Sequence, residues 1–214
     1  MSLFFIKKID EDSYFAIWKI TEKLDYFFNK LELSPEELLK INTYKNDRRK
    51  IEQLSTRALV KEILPKNCYI EYDNFGKPEL KNPSRNVSIS HSKDFVGIIY
   101  SKNSRVGIDI EFISNKIERI AEKFLSKKEL QQIDNQNRIK NLYLYWCAKE
   151  SLLKIYGKKD LSFINNLKIN KINIETKGKF TAKIETSTFK HDYVLNYEFL
   201  NNYLIVWCLE TNEV

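Results

Sequence analysis

Twice along this chain a leucine and a serine open a helix in the same way. In LSPEELLKI, residues 33–41, Ser34 stands as N-cap, Pro35 takes the first helical position and Glu37 follows the cap by three, the spacing of a capping box. In LSKKELQQI, residues 125–133, Ser126 and Glu129 repeat the pattern. Each opening leads through a polar stretch into a long segment that reads as an amphipathic helix: DRRKIEQLSTRALVKEIL from Asp47, stopped at Pro65, and IKNLYLYWCAKESLLKIYG from Ile139, stopped at Gly157. Strand-rich runs, YFAIWKI and RVGIDIEF, precede the two helical blocks. Strand pairs follow them, around CYIEYDNFGKPEL and NVSISHSKDFVGIIYS with turns at residues 74–76 and at Lys93 and Asp94, and in YVLNYEFLNNYLIVWCLE with its turn at Asn201 and Asn202. The matching order of elements predicts an α+β chain of two similar α/β subdomains, residues 1–104 and 105–214, related by a pseudo-twofold axis. A ligand site is expected between them.

The 214 residues are 43% hydrophobic, enough to build a core in one large domain or two small ones. A net charge of +7 suits a polyanionic partner, a phosphate-rich ligand or an acidic protein. The chain is rich in Lys, Asn and Ile throughout, so charge alone carries little weight. Cys68, Cys147 and Cys208 are odd in number and widely spaced, which excludes a disulfide framework or a C-x-x-C zinc site and points to a reducing cytoplasm. The amino-terminal apolar run is too short for a signal peptide and no stretch approaches the length that spans a bilayer, so a soluble protein is expected.

The chemistry concentrates in two places. In VGIDIEF, residues 106–112, strand alternation points Asp109 and Glu111 to one face and Ile108 and Ile110 to the other. Two neighbouring acids repel, and burial raises at least one of their pKa values unless a cation sits between them. In WCAKESLLK, residues 146–154, Glu150 and Lys154 share one helical face. Taken alone they are an ordinary surface pair; the apolar surround suggests instead a buried helix whose charged stripe faces something. Asp109, Glu111 and Glu150 make a three-carboxylate set, the hard oxygen donors that Mg²⁺ takes while binding phosphate oxygens, and Lys154 would neutralise such a phosphate. His91 in SISHS, Lys77 in FGKPEL, and Arg49 and Arg57 on the first long helix are each weak when read singly.

Taken in order, FGKPEL, SISHS, VGIDIEF, FLSKKEL and WCAKESLLK resemble the 4′-phosphopantetheinyl transferase superfamily, whose signature is a G-x-D-x-E strand followed by W-x-x-K-E-x-x-x-K on a helix. The chain length is similar to the duplicated, pseudo-dimeric surfactin-synthetase-activating type, which is expected to be a monomer. The resemblance implies that Asp109, Glu111 and Glu150 bind Mg²⁺ together with the pyrophosphate of coenzyme A, and that Lys154 contacts that pyrophosphate. It places Lys77, Ser90 and His91 along the adenosine 3′-phosphate and nucleotide, helped by Arg57 and Arg49. Residues 1–104 would then carry the nucleotide contacts and residues 105–214 the metal-binding acids and the catalytic helix. Ser151 departs from the small residue, often Ala, that usually follows the helix Glu. Of the family's amino-terminal cations only Lys30 offers a candidate.

The implied reaction moves the 4′-phosphopantetheine arm of coenzyme A to a serine of an acyl or peptidyl carrier protein, releasing 3′,5′-ADP. Glu150 would act as base, directly or through a metal-bound water. A basic enzyme surface suits an acidic carrier. Two rivals stand beside this reading. A family member that binds coenzyme A without turnover is opposed by the intact Asp109, Glu111, Glu150 and Lys154. A nucleic-acid-binding module is opposed by dispersed lysines and the lack of a recognised binding motif.

Overall fold

The computed structural model describes residues 3–210; Met1, Ser2 and residues 211–214, which the expected boundaries include, lie outside the described residues. The chain is α+β and builds two antiparallel sheets. The first contains β1 (Leu3–Lys8), β2 (Ser13–Lys19), β3 (Tyr69–Tyr72), β4 (Pro78–Lys81), β5 (Arg85–Ser92) and β6 (Phe95–Ser101), in the order β1-β2-β6-β5-β4-β3. The second contains β7 (Val106–Phe112), β8 (Leu167–Ile169), β9 (Lys177–Glu185), β10 (Lys190–Leu200) and β11 (Tyr203–Leu209), in the order β7-β11-β10-β9-β8. Helices α1 (Leu24–Lys30), α2 (Pro35–Thr43) and α3 (Asp47–Ile63) lie between β2 and β3; α4 (Ala121–Phe124), α5 (Lys127–Gln131) and α6 (Arg138–Tyr156) lie between β7 and β8.

Both capping boxes form. Ser34 accepts from the Glu37 N–H while Glu37 accepts from the Ser34 N–H, and Ser126 and Glu129 do the same at α5. The hairpin turns fall where the sequence placed them, with Lys93 and Asn201 in the left-handed region. Gly157 ends α6 in that same conformation, which a residue without Cβ adopts at little cost. Five elements were not legible as such: β1, α1, α4, β8 and β9. In β9 the alternation of Phe180, Ala182 and Ile184 against Lys177, Lys179 and Lys183 is a strand signal hidden by its high lysine content.

One expectation fails in an instructive way. Helix α3 is two-sided, but α6 is not amphipathic: Leu142, Leu144, Tyr145, Cys147, Ala148, Lys149, Ser151, Leu152 and Ile155 are buried around its whole circumference. It runs through the second core with β7 and β11 on one side and the 121–125 and 163 segments on the other. Lys149 is fully buried there. Its ammonium donates to the carbonyl oxygens of Phe124 and Phe163 and to Glu129 Oε2, each at 2.8 Å, so a charged group is tolerated because every hydrogen has an acceptor.

Alternation along three strands assembles the two sheets. On β2 and β6, Ala16, Trp18 and Ile98 face the helices of the first half, while Phe15, Ile17 and Ile99 face the second sheet. On β7, Val106, Ile108 and Ile110 meet them in the seam, and Gly107, Asp109 and Glu111 face α6. Gly107 is what allows α6 to lie so close: a Cβ there would come 2.2 Å from the Ser151 carbonyl oxygen. Because that obstacle is backbone, Gly107→Ala is expected to cost about 3 kcal/mol, the upper end of ordinary overpacking. Gly97→Ala, whose Cβ would press on the end of the Ile108 side chain at 3.3 Å and make ordinary contact with Ile110 and Phe15, should cost about 1 kcal/mol. Urea unfolding midpoints at unchanged slope measure both.

Candidate active site

The edge of β7 that does not pair with β11 runs beside β5, and serine side chains close the gap. The hydroxyls of Ser88, Ser90 and Ser92 accept the N–H groups of Ile108, Ile110 and Phe112 at 3.1, 3.2 and 2.9 Å. Each hydroxyl keeps its own hydrogen to donate. Ser90 gives it to Asp109 Oδ1 at 2.8 Å and Ser92 to Glu111 Oε2 at 2.9 Å. The SISHS run thus fastens the first sheet to the second and orients the two acids.

Helix α6 supplies the opposite wall. Lys154 donates to Asp109 Oδ1 at 2.8 Å and to the Ile108 carbonyl oxygen at 2.9 Å. Its partner is therefore Asp109, not the Glu150 one turn away. Trp146 donates from Nε1 to Glu111 Oε1 at 3.3 Å. Glu150 lines the same cleft, a cavity of about 500 Å³ bounded by both sheets, α3 and α6. Burial, then repulsion by Asp109, push Glu150 from an ordinary 4.5 up to about 7, against the pull of Lys154. Burial and Asp109 also raise Glu111, which hydrogen bonds from Ser92 and Trp146 partly oppose.

The same lining also carries cations. Arg49 enters from α3 and Lys77 from the turn before β4. Lys77 lies across the carboxyl end of α6, its Cδ 2.9 Å from where a Cβ on Gly157 would stand, so its charge sits at the negative pole of that helix. Burial and the charge of Arg105 lower its pKa, and nearby acids oppose them. A contiguous cavity of about 590 Å³ shares Tyr72 and Lys159 with the cleft and adds Lys40 and Tyr44.

Of the residues singled out in the sequence, Asp109, Glu111, Glu150, Lys154, Ser90, His91, Lys77 and Arg49 all line the main cleft. Arg57 does not. It is 6% exposed, with Nε on Glu37 Oε1 at 2.8 Å and a terminal nitrogen on the Gln53 carbonyl at 3.0 Å, so it clamps α2 to α3 instead of facing a ligand. Lys30 also lies elsewhere, against Tyr26 and Glu62. His91 lies in the cleft without a charge to offer at neutral pH: burial, helped by Arg49 and Lys154, lowers it to about 3. The Thr56 hydroxyl already donates to the Glu52 carbonyl, so His91 Nε2 must donate to Thr56 Oγ1 across their 2.9 Å contact, leaving Nδ1 as an acceptor. Sequence reasoning missed Ser92 and Lys40. Ser92 carried a signal, since it shares the period-2 face of Ser88 and Ser90; Lys40 carried none.

Among the described residues no three His, Cys, Asp or Glu side chains stand as a formed metal cluster. The donor chemistry nevertheless fits a hard divalent ion. Asp109 Oδ2 is buried without a hydrogen-bond partner, and the three carboxylates are close enough for mutual repulsion to shift two of them. A raised carboxyl pKa means the native state binds a proton more tightly than the unfolded chain. The stability Glu150 contributes is therefore present below about pH 4.5 and is lost as pH rises through about 7. Glu150→Gln should flatten the fall in ligand-free stability between about pH 5 and about pH 7.5, leaving the smaller share due to Glu111, as read by urea unfolding at both pH values.

Residues 105–208 match the family described as ACPS, the 4′-phosphopantetheinyl transferase superfamily. A Synechocystis protein provisionally named a 4′-phosphopantetheinyl transferase is 27% identical over 205 residues, covering 85% of this chain and 81% of that protein. The 4′-phosphopantetheinyl transferase gsp of Aneurinibacillus migulanus is 33% identical over 120 residues, 55% of this chain and 50% of the relative. The 4′-phosphopantetheinyl transferase HetI of Nostoc is 23% identical over 171 residues, 72% and 70% of the two chains.

Proposed function

We propose, from the premise that residues 105–208 belong to the 4′-phosphopantetheinyl transferase superfamily, that this chain transfers 4′-phosphopantetheine from coenzyme A to a serine of a carrier protein. The observation that carries the reading is one cleft lined both by three acids, Asp109, Glu111 and Glu150, and by the cations Arg49, Lys77 and Lys154, the last hydrogen-bonded to Asp109. A ligand that matches both sets of charges carries a polyphosphate and needs a cation beside it.

Mg²⁺ bound by Asp109, Glu111 and Glu150 would supply positive charge to offset their repulsion and that of the coenzyme A pyrophosphate. Lys154 lies beside Asp109 and would turn its ammonium towards the same pyrophosphate as charge moves onto the leaving group. The serine oxygen of the carrier attacks the β-phosphorus, the bond to the bridging oxygen breaks, and 3′,5′-ADP departs with that electron pair. Glu150 would take the hydroxyl proton as base; the value of about 7 belongs to the cation-free cleft, and a bound cation would lower it. Arg49 and Lys77 would neutralise the nucleotide phosphates, and His91 would act on them only as a neutral hydrogen-bonding ring.

The reading extends to organisation. Residues 1–104 form the nucleotide-binding half and residues 105–214 the half that carries the acids and the catalytic helix, in a monomer that works in the cytoplasm on acidic carriers. Three buried free cysteines suit a reducing compartment, and among the described residues no helix is long and apolar enough to cross a membrane.

The test is the coenzyme A dependent mass gain of an apo carrier protein. Lys154→Met should lower turnover roughly a hundredfold or more, the scale of losing one electrostatic stabiliser. Lys154→Arg should recover only part of it, because a planar fork cannot reproduce a compact ammonium held between the Ile108 carbonyl and Asp109. Near-normal turnover in Lys154→Met would remove α6 from the chemistry.

A further inference from the structure

Asp109 and Glu111 sit one pleat apart on the same face, yet they are held by different means. Asp109 shares its Oδ1 between Ser90 and the Lys154 ammonium, so it has a cation of its own. Glu111 has no ion pair among the described residues. Its two oxygens are taken separately by uncharged donors, Oε2 by the Ser92 hydroxyl at 2.9 Å and Oε1 by the Trp146 indole at 3.3 Å.

Both donors are themselves constrained. The Ser92 oxygen accepts the Phe112 N–H at 2.9 Å, which turns its one hydrogen towards Glu111. The Trp146 ring is wedged edge-on between Phe124 and Phe163, with centroids 5.2 and 5.7 Å away. A residue on β5 of the first sheet and a residue on α6 thus grip one carboxylate on β7 from two sides. Glutamate has one more rotatable bond than aspartate, and without these contacts the carboxylate would sample several rotamers.

We infer that Ser92 and Trp146 are positioning residues that fix the Glu111 carboxylate in the cleft through uncharged hydrogen bonds, so that it meets an incoming divalent cation already oriented. Asp109 must share its charge with Lys154, whereas Glu111 is oriented without being neutralised. Both donors can remain in place when a cation arrives, because each carboxylate oxygen has a second lone pair free. This inference rests on the reading of the three acids as divalent-cation ligands. It adds to them an outer layer drawn from the first sheet and from α6, of the kind whose loss typically costs about 10- to 100-fold in metal affinity.

The test uses Mn²⁺ alone as probe, its binding to the intact protein followed by electron paramagnetic resonance, beside the Mg²⁺ concentration for half-maximal transfer. Ser92→Ala and Trp146→Phe, the latter keeping the aromatic wedge, should each weaken Mn²⁺ binding and raise the Mg²⁺ requirement about 10- to 100-fold, with a smaller loss of turnover at saturating Mg²⁺. Ser92→Thr, which keeps the hydroxyl, should restore both. In a Glu111→Gln background neither substitution should change metal dependence further. If Ser92→Ala and Trp146→Phe instead lower melting temperature and turnover while Mn²⁺ affinity stays at the wild-type value, their role is structural and the inference falls, with the metal reading intact. If the wild-type protein binds no Mn²⁺, the metal reading falls and takes the inference with it.

Discussion

Three serine hydroxyls on β5 do for the free edge of β7 what another strand would do. Ser88, Ser90 and Ser92 satisfy the N–H groups of Ile108, Ile110 and Phe112, which would otherwise be left without partners where two sheets meet. Each unsatisfied buried N–H costs about 1–3 kcal/mol, so the seam depends on this ladder as well as on the apolar contacts of Ile108 and Ile110. A strand could have served the edge equally well, but it would have offered no spare donors. Serine does: Ser90 and Ser92 pass their hydrogens to Asp109 and Glu111. Joining the sheets and aiming the acids are one interaction, which is why the cleft lies at the seam.

The charges in the cleft are deliberately incomplete. Three acids and the one lysine that pairs with them share the cleft with Arg49, Lys77, Lys158 and Lys159, of which Arg49 is itself paired with Glu52 at 2.9 Å. The imbalance appears as a Glu150 pushed up to about 7 and a Glu111 raised in the same direction, and as an Asp109 oxygen buried without a donor. A structural ion-pair network would be expected to have resolved these, as Glu129 and Lys149 do a few residues away, where every hydrogen of a fully buried ammonium has an acceptor. A cleft whose acids leave a buried oxygen without a donor and whose lining also carries cations is matched to a ligand that brings a cation and a polyphosphate together.

The strands, turns and capping boxes were legible in the sequence because they rest on local rules: alternation in VGIDIEF, a serine three residues before a glutamate, Asn and Gly at reversals. The acids were legible because burying carboxylates among isoleucines is costly without a reason. What was hidden depended on long-range partners. Arg57 reads as a surface cation on a charge-rich helix, and only the packing of α2 on α3 brings Glu37 to it. Lys154 reads as the partner of Glu150, but β7 offers it Asp109 at closer reach. His91 reads as a nucleotide contact, and only its burial beside Arg49 and Lys154 shows that it meets a ligand as a neutral ring. Helix α6 lacks a polar face for the same kind of reason, since it is enclosed on all sides and its charged residues each meet a specific partner or the cleft.

The central claim is that the acids at the seam need a divalent cation and a polyphosphate together. Its most direct measurement is the melting temperature of the protein with coenzyme A, with Mg²⁺, and with both, in wild type and in Asp109→Asn. A ligand that binds only the native state raises the melting temperature in proportion to its affinity. The account predicts that coenzyme A and Mg²⁺ together stabilise wild type by more than the sum of their separate effects, and that Asp109→Asn abolishes this surplus while keeping part of the coenzyme A effect. Stabilisation by coenzyme A that is identical in Mg²⁺ and in excess EDTA would contradict it.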